Sequence, residues 1–97
     1  MDVEFGDSRL EARFTSLALG ERAWGEVVAR AYQRRVTFLI AAATMQQLRD
    51  HRSLRLHQLA GPHAGRYSIV LHDRWRLIVA ISGESVLIEE VSNHYGD

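Results

Sequence analysis

Three observations predict an α+β fold for this chain. Apolar and polar residues alternate with period two between Leu54 and Val79, as they do in half-buried β-strands. From Trp24 to Ala43 the apolar residues instead recur at the 3.6-residue spacing of an amphipathic helix. The two patterns fall in separate blocks, helices first and strands after, which predicts an α+β arrangement and not a βαβ alternation.

Taken in order, Val3-Glu4-Phe5 is a short strand that ends at Gly6-Asp7. Asp7 or Ser8 can cap a first helix, since Glu11 lies three residues beyond Ser8 as in a capping box. That helix carries Leu10, Phe14, Leu17 and Ala18 on one side and is expected to stop near Gly20. A longer helix runs from Arg22 or Gly25 to Ala43. Its apolar stripe is Trp24, Val27, Val28, Ala31, Tyr32, Val36, Leu39, Ile40 and Ala43, with Glu26, Arg30, Gln33, Arg34 and Thr37 opposite. Thr44 caps one more helical stretch, Met45 to Asp50.

Four strands follow. The first, Leu54 to Ala60, breaks strict alternation, and a bulge at His57-Gln58 would turn Leu54, Leu56 and Leu59 inward together. After a turn at Gly61 to Gly65, Tyr67, Ile69 and Leu71 point one way and Arg66, Ser68, Val70 and His72 the other. After a turn at His72 to Arg74, Trp75, Leu77 and Val79 alternate with Arg74, Arg76, Ile78 and Ala80. A turn at Ser82-Gly83-Glu84 leads to the last strand, Ser85 to Val91. The expected architecture is an N-terminal strand and a two-helix hairpin packed on a four-stranded antiparallel meander, in a single domain over residues 1–97.

Composition narrows the class. With 46 % hydrophobic and 25 % charged residues the chain is an ordinary globular domain, which argues against disorder. It holds no cysteine, so disulfides and thiolate metal sites are excluded. The run Val36 to Met45 is too short to cross a bilayer, and Asp2 and Glu4 stand where a secretion signal needs basic residues. A cytoplasmic protein with no membrane contact is therefore expected. Net charge is zero, yet residues 30–76 hold nine arginines against two acids, Asp50 and Asp73. A basic middle suits a polyanion or an acidic partner protein.

The most specific stretches are Arg55-Leu56-His57-Gln58-Leu59-Ala60-Gly61, Gly65-Arg66-Tyr67-Ser68-Ile69, Asp73-Arg74-Trp75-Arg76-Leu77-Ile78 and Glu89-Glu90-Val91-Ser92-Asn93-His94. In this order and at these separations they resemble the RelE/HigB superfamily of type II toxin–antitoxin toxins, within its HigB-like "plasmid maintenance killer" branch. Family members typically read R-L-H-P-L-K-G-D-R-x-G-x-W/Y-S-I, then N-x-W/Y-R-I/L, and close with V-D-Y-H. The chain departs from this at Ala60, at Pro62-His63 and at Ser92-Asn93, with Tyr95 one place late. The resemblance implies a RelE-like fold and a ribosome-dependent mRNA endoribonuclease that needs no metal or cofactor. It also implies a cognate antitoxin, commonly a HigA-like helix-turn-helix protein, through which alone the toxin meets operator DNA. Two other outcomes share the scaffold: a ParE-like toxin that inhibits gyrase, and a weakened toxin kept as an antitoxin-binding regulator.

RNA cleavage without a metal needs a base for the ribose 2′-hydroxyl, an acid for the leaving oxygen and a cation for the phosphorane. Histidine serves both proton roles near neutrality. By the resemblance, His57 and His94 are the proton carriers and Arg76 the phosphate contact; otherwise His57 is a strand histidine bonded to backbone and His94 a tail residue. Arg55, Arg66 and Arg74, with Tyr95, are the RNA-binding candidates; otherwise they form a solvated face. Arg52 is a further candidate for gripping RNA without reading sequence, and His63 could carry partial positive charge or be a solvated turn residue. Tyr67 and Trp75 are assigned to the core by their phase with Ile69 and Leu77. The nuclease reading asks His57, Arg76 and His94 to surround one ribonucleotide linkage.

Overall fold

One mixed sheet organises the chain. The computed structural model describes residues 1–61 and 65–94. In chain order these are β1 (Asp2–Phe5), α1 (Ser8–Thr15), α2 (Leu17–Trp24), α3 (Glu26–Ala41), α4 (Met45–Asp50), a 3-10 turn (Arg52–Leu54), β2 (His57–Gln58), β3 (Arg66–His72), β4 (Trp75–Ser82) and β5 (Ser85–Ser92). The strands lie in the order β1-β5-β4-β3-β2. β2 to β5 are the expected antiparallel meander, and β1 joins its far edge parallel to β5, pairing Val3 with Val86 and Phe5 with Ile88.

The helical half differs from a two-helix hairpin. α1 is capped by Asp7, whose Oδ1 accepts from the Leu10 amide at 2.8 Å. It ends at Thr15 because Ser16 turns extended and caps α2 with its own hydroxyl. Gly20 does not end a helix; it is buried inside α2, where an added Cβ would stand 3.1 Å from that of Ala29. The break comes at Gly25, whose φ of 84° is a conformation that favours glycine. α3 then runs under the sheet, packing against β1 and β3. α4 has the expected bounds and the expected Thr44 cap. Among the described residues, no helix is long and apolar enough to cross a membrane.

α3 buries Val28, Ala31, Tyr32, Val36 and Leu39, while Val27 and Ile40 from the same predicted stripe stay about half exposed. The sheet answers with Ile69, Leu77, Val79, Val86 and Ile88, and Leu48 and Leu54 close the end of the core. Tyr67 and Trp75 pack against this cluster, as their phase required. Tyr32 donates to the Leu10 carbonyl at 2.7 Å, fixing α1 on α3. The Met1 amino group donates to the carbonyls of Leu39 and Ile40, both at 3.1 Å, and to that of Ala42, tying β1 to the end of α3.

The first sheet strand is much shorter than the expected Leu54 to Ala60. Leu54 closes the 3-10 turn, Arg55 takes a left-handed φ of 47°, and only His57 and Gln58 pair, with Ser68 and Tyr67. Leu54 is fully buried, whereas Leu56 and Leu59 are partly exposed, so the three leucines do not turn inward together. The bulges lie elsewhere, between Val70 and His72 in β3 and at Glu89 in β5.

Candidate functional site

The face of the sheet away from α3 carries His57, Arg66 and Arg76, and the register arranges them in rows. His57, Ser68, Ile78 and Glu90 form one row across β2, β3, β4 and β5. The next row toward the β3–β4 turn is Val70, Arg76 and Ser92; the row on the other side is Arg66, Ala80 and Leu87. The centre of this face is not open: Ile78 is fully buried and Ser68 is 7 % exposed. Charge sits around that apolar centre.

Arg76 stands where its strand phase put it, opposite Trp75 and off the core side. Its Nη1 donates to the Trp75 carbonyl at 3.0 Å and to the Asp73 carbonyl, which fixes the side chain against the β3–β4 turn. Its Nε and Nη2 have no acceptor among the described residues. That pair is one of the two edges with which a guanidinium grips a phosphate. Arg66, by contrast, is drawn into an ion pair, its Nε 2.7 Å from Oε1 of Glu89.

His94 follows β5 by two residues, its amide donating to the buried Ser92 hydroxyl at 3.1 Å. Since Ser92 is the register partner of Arg76, the structure brings His94 and Arg76 to the same end of the sheet. There His94 and Asn93 line an open depression of about 400 Å³ with His72, Asp73, Arg74 and Trp75. His57 is exposed on β2, at the opposite margin. Three strand spacings, about 14 Å in regular sheet geometry, separate its column from that of β5. Of the three residues expected around one linkage, the structure brings Arg76 and His94 to one end of the sheet and leaves His57 apart from them.

The remaining candidates are dispersed. Arg55 is exposed after the 3-10 turn and Arg52 is exposed within it. Arg74 is exposed in the β3–β4 turn. Tyr95 and His63 lie outside the described residues. No group of three or more His, Cys, Asp or Glu that could hold a metal occurs among the described residues.

Two residues gain a part that the sequence did not give them. The bulge in β3 sets His72 opposite Trp75 and so out of the row expected from simple alternation. Its Nε2 lies 3.2 Å from the Asp73 carboxylate, within the depression that holds His94. No pattern of residue types announces a bulge of this kind, so simple alternation put His72 on the other face. Arg35 of α3 donates from Nε to the Val70 carbonyl at 3.2 Å and from Nη2 to the Ser53 carbonyl at 3.0 Å. Burial, and then the neighbouring Arg34 charge, pull its guanidinium below the usual arginine range. It braces the approach to β2 and takes no part in the open face.

Compared with family models, with curated protein sequences and with solved structures, the chain has no match.

Proposed function

We propose that the chain is a RelE/HigB-like toxin of a type II toxin–antitoxin system, acting as a metal-independent endoribonuclease on ribosome-bound messenger RNA. The observation that carries this reading is the Arg76 guanidinium. It is held by the β3–β4 turn through one nitrogen, with its Nε–Nη2 edge left for a phosphate and His94 at the same end of the sheet. A preorganised cation at a phosphorane is worth most when its orientation is set beforehand by the protein. His94 supplies a proton carrier beside it. His57, the other proton carrier implied by the resemblance, stands across the face from this pair, and Arg55 and Arg74 add sequence-independent attraction for the RNA backbone. A cognate antitoxin of helix-turn-helix type, the ribosome and the message are the partners, and the cytoplasm is where they meet.

In this reaction the ribose 2′-oxygen attacks the adjacent phosphorus, the bond from phosphorus to the 5′-oxygen breaks, and a 2′,3′-cyclic phosphate and a 5′-hydroxyl result. Induced expression with primer extension on a reporter message tests it. Growth arrest with discrete cuts in translated regions, relieved by Arg76→Ala or His94→Ala, is the expected result. Arrest with double-strand DNA breaks and an uncut message would assign the scaffold to gyrase inhibition. Absence of arrest, with tight antitoxin binding, would make it a regulator.

A further inference from the structure

Cleavage by this route needs two proton carriers at one linkage, and His57 stands across the face from His94. A second imidazole is nearer. The β3 bulge and the β3–β4 turn place His72 on the same depression as His94, with Arg74, Trp75 and Asn93 completing the wall. Asp73, at a left-handed φ of 49°, holds its carboxylate 3.2 Å from the His72 Nε2, which orients the ring. A base held by a third group is the arrangement expected of an acid–base centre. The indole of Trp75 offers an apolar surface for a nucleobase or ribose, and the Asn93 amide a polar contact.

We propose that this depression binds the ribose-phosphate of the cleaved nucleotide, and that His72 is the second proton carrier beside His94. The inference rests on the nuclease reading above and deepens it. Neutral His72, bonded to Asp73 through Nε2–H, takes the 2′-hydroxyl proton on Nδ1. The 2′-oxygen forms its bond to phosphorus as the bond to the 5′-oxygen breaks, and protonated His94 gives its proton to that leaving oxygen. Both imidazoles end in the opposite protonation state, and water exchange restores them. Arg76, in β4 and anchored beside this turn through the Asp73 and Trp75 carbonyls, meets the phosphorane charge.

The test uses the whole chain with 3′-adenosine monophosphate as probe, followed through the imidazole nitrogen resonances. The His72 and His94 signals are expected to shift together along one binding curve. His72→Gln and His72→Asn, with unchanged melting temperature, are expected to lower the single-turnover cleavage rate of ribosome-bound message by roughly a hundred- to ten-thousand-fold. A nucleotide that moves neither imidazole, or a His72→Gln protein that cuts at the wild-type rate, overturns the proposal. If the wild type leaves RNA intact while the nucleotide still shifts both rings, the nuclease reading falls and the phosphate site stands.

Discussion

The Nε of Arg66 in β3 lies 2.7 Å from Oε1 of Glu89 in β5, although a whole strand separates them. Two features let them meet. Ala80, the β4 partner of Arg66, is too small to stand between them. Glu89 is the extra residue of the β5 bulge, so it and Glu90 follow one another on the same stretch of sheet. The pair sets an acid against one of the cations proposed to meet RNA.

Glu89→Gln should therefore strengthen RNA binding. Both side chains are about a quarter exposed, and loss of the pair should cost roughly 1 kcal/mol of stability. Affinity for a single-stranded oligonucleotide should rise severalfold at low salt. With one negative charge removed from this face, its logarithmic salt slope should steepen, by at most about 0.7, the value of one full phosphate contact. Fluorescence anisotropy at several salt concentrations measures both, and an unchanged slope would mean that Arg66 never reaches the backbone.

Arg35→Ala should destabilise the protein by about 2 kcal/mol, because it removes two charge-assisted bonds that join α3 to β3 and to the 3-10 turn. Arg35→Lys should recover little of this, since one ammonium on a flexible stem does not reproduce a planar fork aimed at two carbonyls. The urea midpoint reports the loss. The His57 resonance should move as well, because the segment leading into β2 loses its brace.

The strands from Arg66 to Val70 and from Trp75 to Ala80 were legible because alternation carries their facing directly, and the capping of α4 by Thr44 because hydroxyl caps have a local chemical cause. The first helix is expected to stop near Gly20, but it breaks at Ser16, and Gly20 lies inside α2. A serine inside a helical pattern and a glycine near its end have the same local propensities whether the chain breaks at one or the other. Packing of Gly20 on Ala29 decides the matter, and that contact is between helices. The candidate site shows the same division. Arg76 follows from strand phase, whereas the association of His72 with His94 depends on a bulge and on the register of β5, neither of which a single segment encodes.

Gly6→Ala should unfasten β1. An added Cβ would lie 2.9 Å from the Ile88 carbonyl oxygen, which also accepts the Gly6 amide at 2.7 Å, so the clash is with backbone that cannot rotate away. Relief requires β1 to lift from β5, and a loss of about 1–3 kcal/mol is expected, as for other overpacked sites. Hydrogen exchange should show early loss of protection at Val3 and Phe5, with Leu77 and Val79 in the sheet centre unaffected. Uniform loss across the sheet would mean that β1 is integral to the whole meander.

Tyr32 makes stability depend on alkaline pH. Its hydroxyl is buried and donates to the Leu10 carbonyl. Burial, reinforced by Asp7 and partly offset by Arg13, pushes its ionisation well above the ordinary phenol value of 10.0. The folded state then holds this proton where the unfolded chain releases it. The stabilisation is complete below about pH 10, the unfolded value, and is lost progressively as pH rises beyond it. Tyr32→Phe should cost about 1 kcal/mol at neutral pH by removing this buried hydrogen bond between α3 and α1. It should also remove this share of the alkaline decline, so that the urea midpoints of the two proteins converge as pH climbs above about 10. Parallel curves would place the alkaline sensitivity in another group.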